Sequence, residues 1–328
     1  MYAEPKLESL PIELNILILF RVPDGDTLQS LVLASPGYHH AYLVVREELL
    51  KSLLKEQYTE FLDLAEALIA VRSKILHFTA QRERAIALPD SWRRRNETRE
   101  LSKPLPRSIH EPDGLEEIID LLHFHRMLNF FEDFLVHAPR PPWIQAAQWE
   151  NELLPLRLSC CEKQRFLRAL CRFQVLRNIF GDAEFRRDHD MKVWQIGETG
   201  RSIDGSSESS AGTIVKEAYK LFYGTMLPWE HDEMGSVFGY LISKIAAICG
   251  EVTDDLRQLM KRTPCDNFWD ILPMEQRPPL GAIDCESDLI HFDRQFLGLA
   301  GLGPEFLYRI LQMDQLSRRN MIIVNTRS

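Results

Sequence analysis

No run of apolar residues in this chain approaches the roughly 18 that a membrane-spanning helix needs, and the expectation is a soluble protein. The first residues, MYAEPKLES, have an early Glu and Pro where a secretory signal carries a basic and then an apolar segment, which points away from secretion. Cysteine is scarce. Six residues in 328, two of them adjacent at Cys160 and Cys161, show no C-x-x-C spacing, so neither a disulfide framework nor a zinc module is indicated and free thiols in a reducing compartment are expected. Basic charge is in deficit: a net charge of −9 argues against a general nucleic-acid binder, which needs a surplus of Lys and Arg on its binding face. The patterns H-E-x-x-H, G-x-S-x-G and the P-loop are missing, and GETGRS at 197–202 has neither the Lys nor the flanking strand that a phosphate loop requires. Strand signals are equally thin; MIIVN at 321–325 alone reads as a short strand or a frayed tail. No repeat is visible, and the lone Trp269-Asp270 pair has no periodic companions that would support a propeller.

What is present is helical periodicity. Apolar and charged fractions of 45% and 27% are those of a globular protein, long enough for roughly two domains. Tyr38, Ala41, Tyr42, Val45, Leu49, Leu53 and Leu54 recur at three- and four-residue steps, predicting a helix from Tyr38 to about Tyr58. Phe61, Leu64, Ala65, Leu68, Val71, Ile75 and Phe78 predict a second, from about Thr59 to Leu88. DGLEEIIDLLHFHRMLNFFEDFLVH begins with acids and stops before APRPP, as a bounded helix does. Further helices are expected near 147–180, 213–224, 230–249, 286–297 and 304–318. The fold class is all-α. Gly197 to Thr213, rich in Gly and Ser, is expected to be a loop or linker, which separates a helical region at 56–196 from a C-terminal helical part at 214–328. The basic segment with Arg93, Arg94, Arg95, Arg99, Lys103 and Arg107 reads as a solvated connector, with nuclear targeting or anion contact as the functional alternative.

The first fifty residues are denser in signals. Pro11 suits the first turn of a helix and Glu13 the positive end of its dipole, so the first helix is expected to start at Leu10 or Pro11. Ile12, Leu14, Ile16, Leu17, Ile18, Leu19 and Phe20 then spread around its whole circumference, a pattern that calls for apolar neighbours on two sides. The chain breaks at Pro23 to Gly25; Asp26 and Gln29 look like a capping box for a short helix carrying Leu28, Leu31 and Val32. Ser35 is placed to cap a third helix with Pro36 in its first position.

This ordered set, Leu10-Pro11-x-Glu13-Leu14, Leu17, Leu28, Leu31 and Ala34-Ser35-Pro36-x-Tyr38-His39-x-x-Tyr42, resembles an F-box, in particular the divergent F-box-like form of filamentous-fungal proteins. The resemblance covers about Leu7 to Leu50 and implies an F-box-like domain over 5–55. It implies that this unit packs on the Skp-type adaptor of an SCF ubiquitin ligase through Leu10, Pro11, Leu14, Leu17, Leu28 and Leu31. Glu13, Ser35 and Pro36 would set helix starts, and the remainder of the chain would bind the protein to be ubiquitinated. It implies no catalytic residue, metal or cofactor in this chain, and a place in the cytoplasm or nucleus. A second reading keeps the helices as a scaffold buried internally, without a ligase role.

A third reading is a metal-dependent or hydrolytic enzyme. Asp188, His189 and Asp190, and separately His231, Asp232 and Glu233, have the chemistry for acid–base work or metal binding, but each is one contiguous polar stretch with no fixed partner elsewhere. His123 and His125 are two apart on a helix and point in different directions, so they do not share a metal easily; His123 is expected on a packed face with Met127 and Phe130. Cys160 and Cys161 sit beside Lys163 and Arg165, which favours a thiolate, yet Cys160, Leu167, Leu170 and Cys171 also read as one buried helical face. GLAGLGPEF at 298–306 follows a helix-like run and reads as a turn with Pro304 opening the next helix.

Overall fold

The structure is a computed structural model, and it describes residues 10–59, 62–76, 111–136, 158–187, 226–262 and 302–325, with a few further positions at 81, 83–85, 87–88, 145, 148, 152, 224 and 299. Every regular element among these residues is helical. The helices are α1 Ile12–Leu19, α2 Gly25–Ala34, α3 Pro36–Thr59, α4 Leu64–Arg72, α5 Leu115–Val136, α6 Cys160–Arg187, α7 Pro228–Arg262, α8 Pro304–Gln312 and α9 Gln315–Asn325, with a 3₁₀ turn at Ser73–Ile75. The stretch 321–325 is the end of α9, so MIIVN is helix and not strand. The chain divides into two compact units, each assembled from separated segments: 1–71 with 104–168, and 72–103 with 169–328. The expected helices at 213–224 and 286–297, the Gly/Ser-rich segment 197–213 and the Arg93 to Arg107 stretch lie outside the described residues, apart from Gly224.

In the first unit α1 and α2 both pack on α3, and α3 packs on α5. Pro11 is the N-cap of α1 and not its first helical residue: its carbonyl accepts from Leu14 N at 3.0 Å and Asn15 N at 3.2 Å, which moves the start one position beyond expectation. Glu13 still falls in the first turn, where a carboxylate favours the helix dipole. The cap of α2 is Asp24, not Asp26. Its carboxylate accepts from Thr27 N at 2.7 Å and from Thr27 Oγ1 at 2.8 Å, and the first of these bonds is the main reason its pKa is lowered. α3 begins at Pro36 as expected, but Ser35 serves it through the main chain: His39 N donates to the Ser35 carbonyl at 3.0 Å, while Ser35 Oγ is buried without a partner among the described residues. The inner face of α3 is Tyr38, Ala41, Leu49, Leu50, Leu53, Leu54 and Tyr58. Against it α5 sets Ile118, Leu121, Phe124, Leu128 and Phe131, all buried. Tyr58 ties the two helices, its hydroxyl donating to the Leu121 carbonyl at 3.0 Å and its ring lying 5.0 Å from that of His125.

The second unit is centred on the later part of α6, where Ala169 to Arg177 are all buried. On α7, Met234, Val237, Leu241, Ile245 and Ile248 make one buried stripe at three- and four-residue steps, and the Phe173 and Phe238 rings lie 5.6 Å apart. Two polar side chains of α6, buried Gln174 and half-buried Asn178, organise the rest. Gln174 Oε1 accepts from the Glu305 backbone N–H at 3.1 Å and so satisfies one of the orphan donors at the start of α8; Gln174 Nε2 donates to Asn178 Oδ1, and Asn178 Nδ2 to Ser73 Oγ, both at 2.8 Å. Gly303, just before Pro304, has φ +92°, and a Cβ there would come within 3.2 Å of Arg177, so conformation and space both favour glycine. The glycine-rich stretch therefore ends in a helix-opening turn, as its sequence suggests.

Candidate interaction surface

Burying the α1–α3 face leaves part of α1 without cover. Leu19 is wholly buried and Asn15 almost so, whereas Leu14 and Leu17, one turn apart, are 44% and 61% exposed. The remaining expected contact residues are distributed differently: Pro11 is exposed, Leu10 and Leu31 are half-buried, and Leu28 is buried in the unit's own interior. Leu28 thus works as core in the isolated chain. Three further large apolar residues are exposed among the described residues of the same unit, Leu33 on α2 and Leu43 and Val44 on α3. The signal for the last two is that they fall off the three- and four-residue stripe of α3, a position where a surface helix usually places polar residues.

α1 also carries a feature its apolar composition hides. Asn15 Nδ2 reaches the Leu10 carbonyl at 3.5 Å and its Oδ1 has no partner among the described residues. A buried acceptor left unmet costs on the order of 1–3 kcal/mol, so α1 is held by Leu19 and its half-buried neighbours against a polar penalty at its centre.

A groove of about 790 Å³ lies elsewhere in the first unit. Its walls are the last turn of α3 (Glu56, Gln57, Thr59), the middle of α5 (His125, Asn129, Glu132) and the start of α6 with the residue before it (Leu158, Cys160, Lys163, Gln164). α6 opens with a reciprocal cap, Glu162 N donating to Ser159 Oγ at 3.2 Å and Ser159 N to Glu162 Oε2 at 2.7 Å. The Ser159 hydroxyl, donating to Glu162 Oε2 at 2.7 Å, and then the Ser159 N–H lower the Glu162 pKa. Cys160 is exposed, which corrects the expectation of a buried face shared with Leu167 and Cys171; the latter two are buried. Across the groove Lys163 pairs with Glu132. His125 is buried, and loss of water pushes its pKa down to about 4, partly offset by a hydrogen bond with the Gln57 backbone. The packed histidine is therefore His125; His123, expected to pack, is exposed.

Of the sites weighed for catalysis, 188–190 lies outside the described residues and His231, Asp232 and Glu233 occupy the first turns of α7. Among the described residues, no group of three or more His, Cys, Asp or Glu is gathered as a metal centre requires, and no helix is long and apolar enough to cross a membrane. Comparison with known proteins adds no relative: no family model, no curated protein and no solved structure matches this chain.

Proposed function

We propose that the chain is a protein-interaction subunit whose N-terminal three helices dock on a Skp-type adaptor and whose remaining helices recruit a protein to an SCF ubiquitin ligase. The observation that carries this reading is the exposure of Leu14 and Leu17 on consecutive turns of α1, in a unit whose α1 and α2 are both anchored on α3. Fully burying one leucine stabilises an association by about 1.5–3 kcal/mol. Two such side chains on α1, with exposed Pro11 and half-buried Leu10 just before them in the chain and half-buried Leu31 on α2, supply the apolar side chains that an adaptor contact needs. In this role the chain does no covalent chemistry. Ubiquitin transfer belongs to other subunits, and the setting is the cytoplasm or nucleus.

The test is co-purification of the full chain with the adaptor, beside Leu14→Asp/Leu17→Asp. Both side chains are exposed, so the double variant is expected to fold and to lose the adaptor. A second reading, a helical scaffold with no ligase role, is favoured by the burial of Leu28 and by the Tyr58–Leu121 bond that joins α3 to α5. In that case the folded wild-type chain leaves the adaptor in the unbound fraction.

A further inference from the structure

The groove of the first unit is chemically lopsided. Its volume, about 790 Å³, is that of a small-ligand site, and polar side chains share its lining about evenly with apolar surface. The groups that carry or could carry positive charge are already committed. Lys163 pairs with Glu132. His125 Nδ1 lies 3.2 Å from Asn129 Nδ2, and the ring is further engaged with the Gln57 backbone.

The acceptors opposite them are open. Glu56 is exposed and has neither a cation nor a donor among the described residues. Gln164 is likewise exposed with its amide unengaged. Asn129, with its Nδ2 on His125, keeps Oδ1 as an acceptor, and a carboxylate such as Glu132 has more lone-pair sites than one ammonium fills. Among the described lining residues, two carboxylates face one ammonium.

From this arrangement we infer that the groove binds a guanidinium group, as carried by an arginine side chain. An ammonium offers three donors from one point and cannot meet acceptors that come from α3, α5 and α6 at once. A planar guanidinium presents five N–H donors in a fixed fork and can bridge them. The same chemistry is carried by an arginine within a polypeptide and by a small free guanidine. The inference is independent of adaptor docking, which involves other residues.

The experiment uses the full chain carrying Cys161→Ser. It is titrated calorimetrically with N-acetyl-arginine methylamide, with a blocked hexapeptide containing one central arginine, and with the citrulline version of each, which keeps the shape and removes the charge. Cys160, exposed in the groove wall, reports location through its alkylation rate, read by peptide mass spectrometry. The arginine probes are expected to bind and to slow alkylation of Cys160. The citrulline probes should bind at least about tenfold more weakly, the worth of one charge-assisted hydrogen bond. Glu56→Gln, at an exposed position, should weaken arginine binding by about tenfold with an unchanged circular dichroism spectrum; Glu132→Gln, which also releases Lys163, should weaken it as well. A peptide that binds at least about tenfold more tightly than the blocked amino acid supports a polypeptide source, and equal affinities support a small guanidine. Equal binding of citrulline and arginine, wild-type affinity in Glu56→Gln, or no binding and no protection of Cys160 in a folded chain overturns the assignment.

Discussion

Replacing Glu230 with Gln is expected to destabilise the second unit by about 3–5 kcal/mol, the usual cost of removing one partner from a buried ion pair. The magnitude follows from the surroundings of the pair. Arg172 Nη1 lies 2.7 Å from Glu230 Oε1, an ion contact more than an aligned hydrogen bond, and both side chains are only 7% exposed. The other carboxylate oxygen accepts from Leu227 N at 3.0 Å and sits in the first turn of α7, where negative charge is favourable by about 0.3–1 kcal/mol. Glutamine retains the shape and one acceptor, so packing changes little and the loss isolates the charge left on buried Arg172. A two-unit chain need not unfold in one step. The suitable assay is therefore amide hydrogen exchange on peptides spanning 226–250, where a loss of about 3 kcal/mol accelerates the slowest amides by more than roughly a hundredfold. Arg172→Met with Glu230→Leu removes both charges and should recover most of the loss. A Glu230→Gln effect below about 1 kcal/mol, or a double variant worse than the single one, would refute the reasoning.

The first unit should lose stability in mild acid through His125. Its folded pKa of about 4 lies below the ordinary 6.5, so the folded form binds fewer protons; the stability this contributes is complete above about pH 6.5 and is lost as pH falls towards 4. The slope is about 1.4 kcal/mol per pH unit over that window, and hydrogen exchange on peptides of α5 measured from pH 7 to 4.5 should flatten in His125→Phe. Asp24→Ala removes the side-chain cap of α2 and should cost about 0.5–2 kcal/mol, with Asp24→Ser recovering most of it and Asp26→Ala changing stability by less than about 0.5 kcal/mol in chemical denaturation. Equal losses at 24 and 26 would place the cap elsewhere.

A long apolar stripe at a 3.6-residue period was legible in α3 and α5 but not everywhere. The stripe from Phe61 to Phe78 predicts one helix from Thr59 to Leu88, and the structure has α4 at Leu64–Arg72, the 3₁₀ turn Ser73–Ile75 and extended backbone at Leu76. α3 and α5 appear within about two residues of the ends their sequences suggest, and Pro304 opens α8. Local chemistry with two near-equivalent solutions was not legible. Asp24 and Asp26 both precede the stripe of α2, and the choice between them depends on the extended backbone at Asp24 (φ −150°, ψ 164°) and on Thr27, whose hydroxyl joins its N–H on the same carboxylate. Which of two nearby side chains faces inward is decided by packing partners far away in sequence. Tyr58 of α3 draws His125 inward and leaves His123 outside, although the periodicity of α5 permits either. The same limit hid the groove, whose walls come from positions 56–59, 125–132 and 158–164. MIIVN looked strand-like because β-branched residues are clustered there. It completes α9, a helix whose start is secured by Asp314 accepting from Ser317 N at 3.0 Å and from Ser317 Oγ at 2.6 Å. The units themselves are discontinuous, which no reading of consecutive blocks reveals.

Binding of the full chain to a purified Skp-type adaptor, with Leu14→Asp/Leu17→Asp and Leu43→Asp/Val44→Asp as paired variants, tests the proposed role most directly. The expected result is a stable complex with the wild-type chain, lost in the α1 variant at unchanged helical content. A folded wild-type chain that leaves the adaptor unbound, or an α1 variant that binds as well as wild type, would contradict it.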